Sequence, residues 1–455
     1  MARCSWLLQI ILVLVSVGST GNLVVAMAAS RKPYPPPFPG KNGVVAERSR
    51  QMLVPPDGWI QGDTKIARTA PLVEAVLYSE LYPLPVTDLG WSHWGQGCLA
   101  SDGCFYSAIG DHRSIDGNAF LYRYDPRQRQ LTKVLDLQKF TGHRAGDYGH
   151  GKIHGRIDEF RGSLYFATNW DGEPGPEHFN ERFRGGIIIR YDLEGQKPEH
   201  LGAPRYQTSY PVHIVDRRRG LMYLIAMDDT IMGIDLERRT RMFDRLGEGV
   251  QYGKRGLICD EETGLVYFPG RQSSSGRIVM YELDPEKATI RETRAMFPND
   301  GTSLRAATPR KSRDGWFYCS TFKGLFFRFH PQNELIEELP NGNGAYLTSL
   351  ALSPDDRFLY YTGGSCSGEA WKQGCPVIQY DIEHQQPKVL AFLHPFFQQK
   401  YKYLCGGTFG LVIEETGRTL YIAMNGHLEG MGFRSGYAFG LPAIFIVHIP
   451  DDELR

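Results

Sequence analysis

This 455-residue sequence has no excess of positive or negative charge, because 51 lysines and arginines balance 51 aspartates and glutamates. A chain without net charge has no global field that would recruit nucleic acid or an anionic membrane. We therefore expect no nucleic-acid partner, and any preference for a charged ligand must come from a local cluster of side chains.

Long apolar runs are missing after the first 28 residues. The N-terminus combines Arg3, the apolar stretch "WLLQIILVLV" and the small-residue pattern at 26–28. This arrangement predicts a signal peptide over 1–28 that is cleaved after Ala28. An uncleaved anchor is the alternative, since residues 6–28 are long enough to span a bilayer. Cleavage would leave no membrane span, and we expect a secreted or periplasmic protein.

Several catalytic motifs are absent. The sequence contains no P-loop, no G-x-S-x-G elbow and no haem-attaching Cys-x-x-Cys-His. Their absence argues against the nucleotide-hydrolysing, serine-hydrolase and cytochrome classes that depend on them.

Cysteine is scarce, with eight residues of which seven remain after the predicted cleavage. In an oxidising compartment, pairs that flank a short turn or loop favour disulfides. We predict two such pairs and at least one unpaired cysteine. The predicted pairs are Cys98 with Cys104 and Cys366 with Cys375, and the predicted buried thiols are Cys259, Cys319 and Cys405.

A repeat decides the fold. A small-residue turn followed by an aromatic strand recurs seven times, as in "GCFYSAIG", "GSLYFATNW" and "RTLYIAMN". Each copy continues into a second strand such as "LYRYDP", and most have a third, more polar one; a short small-residue strand precedes each copy. The shared tyrosines are Tyr106, Tyr165, Tyr223, Tyr267, Tyr318, Tyr360 and Tyr421.

Seven repeats of four strands predict an all-β, seven-bladed propeller. The seventh repeat ends at "AIFIVHI" without an outer strand, whereas "PLVEAVLYSE" near the start of the chain reads as an isolated one. We therefore expect residues 72–79 to complete blade seven and close the ring, which removes an exposed edge. The predicted organisation is a signal peptide at 1–28, a Pro-rich leader at 29–71 and a single propeller domain at 72–455.

One repeat resembles a known family. "LTSLALSPDDRFLYYTGG", residues 347–364, is similar to the YVTN or lactonase-type propeller repeat, with its Ser-Pro-Asp turn before the aromatic strand. The resemblance implies a propeller over roughly residues 72–450 and carries no lactonase site residues onto this chain. In architecture and residue type, the chain also resembles secreted propeller polysaccharide lyases.

Candidate site residues gather at the entries to the inner strands and in the loops on the same face. The motif "DYGHGKIHGR" places His150, Lys152 and His154 at alternate positions among glycines. Histidines carry protons near neutral pH, cations bind carboxylates, and tryptophans offer flat surfaces on which a sugar ring stacks. The predicted substrate-binding residues are His93, Trp91, Trp94, His150, Lys152, Trp170, Lys254 and Arg271.

These residue types suit β-elimination on a uronic-acid glycan. That reaction needs a cation to neutralise the carboxylate, a base for the C5 proton and an acid for the leaving oxygen. Arg255 and Arg305 are the expected neutralising cations, and His154 or His213 the expected base. Tyr210 is the expected acid. The predicted function is therefore an exported carbohydrate-active propeller, concretely a polysaccharide lyase.

Two alternatives stay open. The same His- and Arg-rich face would serve a non-catalytic propeller that binds a glycan, another anionic ligand or a protein partner, with its histidines bonded to backbone carbonyls. Alternatively, imidazoles from separate blades converge on a divalent metal at the axis. The candidate metal ligands are His93, His154, His213 and His427.

Overall fold

Seven antiparallel sheets, one for each tyrosine repeat, build the structure. The computed structural model of the protein describes residues 38–59, 62–78, 90–170, 175–247, 256–272, 274–298, 302–340, 346–364, 370–429 and 439–455. Within these residues the sheets form a ring of four-stranded blades. The predicted all-β, seven-bladed propeller is confirmed.

The first blades follow three strands that precede them in the chain. These are β1 (Val45–Glu47), β2 (Lys65–Ile66) and β3 (Leu72–Leu77). Blade one contains β4 (Ser92–His93) and β5 (Cys98–Leu99), which both pair with β6 (Phe105–Gly110), then β7 (Ala119–Asp125) and β8 (Gln130–Asp136). Blade two contains β9 (Asp158–Phe160), β10 (Ser163–Ala167), β11 (Ile188–Asp192) and β12 (Lys197–Gly202). Blade three contains β13 (Val212–Asp216), β14 (Leu221–Ile225), β15 (Ile231–Asp235) and β16 (Thr240–Leu246).

The remaining blades continue the same order. Blade four contains β17 (Ile258–Asp260), β18 (Leu265–Arg271), β19 (Ile278–Asp284) and β20 (Thr289–Met296). Blade five contains β21 (Leu304–Ala307), β22 (Phe317–Thr321), β23 (Phe326–His330) and β24 (Leu335–Leu339). Blade six contains β25 (Ala351–Leu352), β26 (Phe358–Thr362), β27 (Pro376–Asp381) and β28 (Gln386–Phe392). Blade seven contains β29 (Tyr403–Ile413), β30 (Thr419–Leu428) and β31 (Ala443–His448), completed by β3.

Helices are few in the described residues. The α-helices are α1 (Leu137–Thr141) and α2 (Leu393–Tyr401), and the 3-10 turns are Lys41–Gly43, Arg50–Leu53, Pro176–His178 and Asp451–Glu453. Helix α2 follows β28 directly, and its sequence "LHPFFQQKY" is too short to establish a helical period. No helix in the described part of the chain is long and apolar enough to cross a membrane.

The ring closes through β3. This strand pairs antiparallel with β31, with Leu72 opposite His448 and Leu77 opposite Ala443. The predicted closure of blade seven by an N-terminal strand is therefore confirmed; residue 79, the end of the predicted range, lies outside the described residues. Because β3 covers the edge of β31, strands from early and late in the chain meet in one sheet.

Part of the predicted leader packs on the propeller. Strand β1 extends blade seven by pairing with β3, and β2 runs parallel to β28 at the edge of blade six. The buried carboxylate of Glu453 accepts backbone N–H bonds from Arg68 at 2.6 Å and Thr69 at 3.1 Å, and it pairs with Lys388 at 2.7 Å. The signal peptide and residues 29–37 lie outside the described residues and stay predictions.

The recurrent tyrosines form the packing between blades. All seven lie on the second strand of a blade and are at least nine-tenths buried. Tyr421 of blade seven stacks on Phe105 of blade one with 5.4 Å between ring centroids, and Tyr267 of blade four meets Phe329 of blade five at 5.2 Å. A buried phenol needs a hydrogen-bond partner. Tyr106 meets that need by donating to Asp102 at 2.9 Å.

The predicted disulfides are not formed. Cys98, Cys104 and Cys375 are all free thiols, and Cys366 lies outside the described residues. Cys98 stands opposite Tyr106, two positions beyond Cys104 on the neighbouring strand, so the two cysteines are diagonal partners. Diagonal positions are about 7–8 Å apart, which is too far for a disulfide. The predicted buried thiols at 259, 319 and 405 are buried and free.

Candidate functional site

A cavity on the propeller axis receives residues from all seven blades. Its empty volume, including the part open to solvent, is about 540 Å³. Four of the predicted site residues lie on it together: Trp94, His154, His213 and Arg305. The remaining lining residues are Gly95, Gln96, Gly155, Arg156, Pro211, Val212, Gly256, Leu257, Ala306, Ala307, Thr348 and Phe409.

The glycines of "DYGHGKIHGR" allow the chain to pass close to neighbouring segments. A Cβ on Gly149 would stand 2.2 Å from the carbonyl oxygen of Gly117, and a Cβ on Gly155 would stand 2.2 Å from the His213 ring. No side chain fits at such distances. The motif therefore packs blade two tightly against blades one and three and brings His154 to the axis.

His154 is held by a backbone carbonyl. Its Nδ1 lies 2.5 Å from the carbonyl oxygen of Pro211, which joins blade two to blade three. Its ring stacks on Trp94 with 5.8 Å between centroids and an interplanar angle of 19°. The tryptophan itself is partly exposed to solvent.

His213 is a neutral imidazole in the cavity wall. Its Nε2 lies 2.6 Å from the carbonyl oxygen of Arg156 and 3.3 Å from the backbone N–H of Ala167; because the carbonyl contact is much shorter and needs a donor, this nitrogen is assigned the proton. Its Nδ1 is buried and, within the described residues, has no hydrogen-bond partner. Burial lowers the pKa of His213 to about 4, because a charged ring would lose its hydration there.

Arg305 is a buried cation without an acidic partner in the described part of the chain. The residue is 5 % exposed, its Nε donates to the Tyr346 hydroxyl at 2.5 Å, and its Nη2 has no hydrogen-bond partner among the residues that the structure describes. Three aromatic rings surround the guanidinium, with centroids between 5.1 and 5.6 Å from Cζ: Phe322, Tyr346 and Phe409. Cation–π contacts offset only part of the cost of removing this charge from water.

The other described cations near the axis already have interaction partners. Arg156 also lines the cavity, but its Nη2 pairs with Asp158 at 3.0 Å. The buried Lys152 lies with its Nζ 4.6 Å from the ring centroid of Trp94. Arg305 is therefore the lining cation that most needs a counter-charge.

Three predicted residues on the entries are packed instead of lining the cavity. Trp91 stacks on Phe120 at 4.6 Å in the core of blade one. Trp170 packs with Tyr148 and Phe183 in a small aromatic cluster. His150 meets the same Phe183 at 5.2 Å and shares a 2.9 Å hydrogen bond with Thr168.

The other predicted residues lie away from the cavity lining or outside the described residues. Tyr210, the expected acid, is fully buried in the core between blades two and three, where burial raises its pKa well above the usual range. Arg271 is exposed and donates to the carbonyl of Gly276 at 3.1 Å. Lys254 and Arg255 lie outside the described residues, directly before the lining residue Gly256.

No metal cluster forms in the described ranges. No group of three or more His, Cys, Asp or Glu side chains there is placed to hold an ion. His93 is fully buried on β4, and neither of its ring nitrogens has a partner there. His427 lies on β30, opposite Leu404, and is absent from the cavity lining. The four predicted metal ligands are therefore not gathered at one point.

The aromatic surroundings of Arg305 were not predicted from the sequence. Phe409 lies within the inner strand of blade seven and Tyr346 precedes the inner strand of blade six, and both contact the guanidinium. The position of Tyr346 at an inner-strand entry was a usable signal, because the same criterion selected Arg305. Aromatic residues are so frequent in this chain that residue type alone did not distinguish them.

Acid should destabilise the fold through four buried histidines. Burial lowers the pKa of His93 and His150 to about 3 and that of His213 and His394 to about 4. Unfolded histidines titrate near 6.5, so below that pH the unfolded chain binds more protons than the folded one. The stability these histidines contribute is complete above pH 6.5 and is lost as pH falls towards their folded values.

Each such histidine contributes a slope of about 1.4 kcal/mol per pH unit to the free energy of unfolding. Urea titrations at pH 7.0, 5.5 and 4.5 measure the total slope. His213→Gln should reduce the total slope by the contribution of one histidine. An unchanged slope in this variant would mean that His213 is protonated in the folded protein.

Comparisons with known proteins define the fold and no more. No protein family model matches the chain, and no curated protein sequence matches it. Among solved structures, a chain in "Crystal Structure of Mitotic Checkpoint Complex" is similar with a TM-score of 0.52 and 10 % identity, over 82 % of this chain and 98 % of that one. At this identity the likeness concerns the propeller alone. The lactonase-type and lyase resemblances find no support in these comparisons.

Proposed function

We propose that the protein binds an anionic ligand in its axial cavity, and that the ligand's carboxylate pairs with Arg305. The observation that carries the proposal is the burial of this guanidinium without an acidic partner in the described residues. A buried charge is normally paired, because its lost hydration costs several kcal/mol. A ligand carboxylate would supply the missing counter-charge and accept hydrogen bonds from the guanidinium.

The surroundings of Arg305 favour a carboxylate carried on a ring. The half-buried Trp94 and the buried Phe409 line the same cavity and lie 4.8 Å apart, centroid to centroid. Such faces pack against the apolar side of a sugar ring. A uronic-acid residue of a glycan carries both the carboxylate and the ring.

Binding is preferred over catalysis because the axial histidines are tied to the backbone. His154 and His213 each use one ring nitrogen on a carbonyl of a neighbouring blade. These bonds fix the rings and hold the blades together, which is a structural role that a binding propeller needs. The same two histidines are thus explained without a reaction.

Paired ligands test the binding proposal. Calorimetric titration should show binding of galacturonate oligomers and at least tenfold weaker binding of their methyl esters. The ester keeps the ring and removes the charge, and a hydrogen bond to a charged group contributes about 1.5–3 kcal/mol. Equal affinity for acid and ester would contradict the proposal, as would no binding across galacturonate, glucuronate and mannuronate oligomers.

One observation favours β-elimination as a second candidate function. His213 belongs to the cavity wall, and its Nδ1 has no hydrogen-bond partner in the described residues, so it could accept a proton. It would take the C5 proton while the C4–O bond breaks, the C4–C5 double bond forms and water protonates the leaving oxygen. Arg305 would neutralise the carboxylate; Tyr210 has no part, since it is buried elsewhere.

An absorbance assay distinguishes the two functions. A lyase produces unsaturated uronate ends that absorb in the ultraviolet, with or without a chelator. His213→Gln should abolish that signal while oligomer binding persists. Binding with a flat absorbance trace in the wild type would leave the protein a binding propeller.

We also propose export, on the basis of the N-terminal pattern alone. The mature chain should then begin at Ala29. N-terminal sequencing of the protein from its native source would show that residue, whereas an intact Met1 would contradict cleavage.

A further inference from the structure

Two cysteines meet where blade six packs against blade seven. Cys375 stands directly before β27 of blade six, and Cys405 lies on β29 of blade seven. Both are fully buried, and the Cys375 thiol donates to the carbonyl oxygen of Cys405 with 3.0 Å between Sγ and O. This contact brings the sulfur of one cysteine onto the backbone of the other.

The two thiols also interact with each other. The pKa of Cys405 is raised well above its usual value, first by burial and then by the neighbouring Cys375 thiol. A protonated, buried thiol is a poor nucleophile, so Cys405 does not react while the blades remain closed.

We propose that Cys375 and Cys405 are a disulfide pair that is oxidised while the ring closes during folding. Each sulfur loses its hydrogen as the S–S bond forms, and the two electrons and two protons pass to a small disulfide such as oxidised glutathione, which leaves as two thiols. The bond replaces the thiol–carbonyl hydrogen bond and joins blades six and seven covalently. It links the same two blades that β1 and β2 extend.

This pairing differs from the one expected from sequence. Proximity in the chain favoured Cys366 for Cys375, whereas the fold brings Cys405 into contact across an interface between blades.

Peptide mapping tests the proposal. The denatured full-length chain should be refolded with reduced and oxidised glutathione, alkylated and digested with trypsin. The predicted product links peptide 373–388, which contains Cys375, to peptide 403–418, which contains Cys405. Cys366 lies in the separate peptide 358–372, so its pairing would give a different linked mass.

A second measurement keeps the test independent of the yield of refolding. In the oxidised wild type, a phosphine reductant should lower the midpoint of thermal unfolding, whereas Cys405→Ala should show no response. Cys259→Ala, which removes a buried free thiol in blade four, is the matched control and should respond like the wild type. Recovery of Cys375 and Cys405 as separately alkylated peptides, or as a 375–366 link, would overturn the proposal.

Discussion

Replacing Arg305 by methionine should weaken binding of uronate oligomers by about 100-fold or more and, at the same time, raise the free energy of unfolding. The affinity falls because removing one member of a buried, hydrogen-bonded charge pair costs about 2–5 kcal/mol. Stability rises because methionine fills the aromatic surroundings without a buried charge, a replacement that gains about 1–4 kcal/mol in buried ion pairs. Calorimetric titration and urea unfolding of the same variant measure the two effects.

Arg328→Met is the matched control for that variant. Arg328 also lies in blade five and stacks on an aromatic ring, with its Cζ 4.1 Å from the centroid of Trp316. Unlike Arg305, it has an acidic partner in the described part of the chain, since Glu337 is 2.6 Å away. We expect unchanged oligomer binding and slightly lower stability in this control. Loss of stability in Arg305→Met, or undiminished binding, would contradict the anion site.

Opening the ring should strongly lower the free energy of unfolding. Val73 is fully buried on β3 and stands opposite Val447 of β31. Val73→Asp would place a carboxylate in this contact, with an expected loss of about 4 kcal/mol or more. The edge of β31 would then be uncovered, so the soluble yield should also fall. Urea unfolding and light scattering measure both consequences.

Leu335→Asp is the control for that change. Leu335 begins the outer strand of blade five and is 41 % exposed, so the same carboxylate remains hydrated there. We expect a change within about 0.5 kcal/mol, as for other exposed positions. Equal effects at 73 and 335 would show that β3 does not close the ring.

The ring was predictable from the sequence because its signal repeats. Each repeat places an aromatic strand with a tyrosine after a small-residue turn, and the pattern is recognisable because it recurs seven times. The missing outer strand of blade seven pointed to residues 72–79 for the same reason. Helix α2 was not predicted, because it occurs once and belongs to no repeated pattern.

The site was less predictable because neighbours in sequence face different surroundings. Trp91 and Trp94 are three residues apart, yet one packs on Phe120 and the other lines the cavity. In the same way, Tyr210 is packed in the core, whereas His213 lies in the cavity wall. Residue type selected all four, whereas the direction of each side chain depends on where the inner strand begins.

Arg305 has no acidic partner among the residues that the structure describes, and the sequence alone does not show this. The sequence holds as many acidic as basic residues, and other arginines, such as Arg156 and Arg328, pair with carboxylates. Only the packing of blades five, six and seven shows that Phe322, Tyr346 and Phe409 occupy the space around this guanidinium. The candidate site is therefore identified by the burial of the Arg305 charge, which only the folded structure shows.

A crystal structure of the mature protein with a galacturonate oligomer tests the central claim most directly. We predict that a ligand carboxylate lies within hydrogen-bond distance of the Arg305 guanidinium, with its sugar ring against Trp94. A ligand bound elsewhere, or Arg305 paired with a carboxylate of the protein itself, would contradict the account.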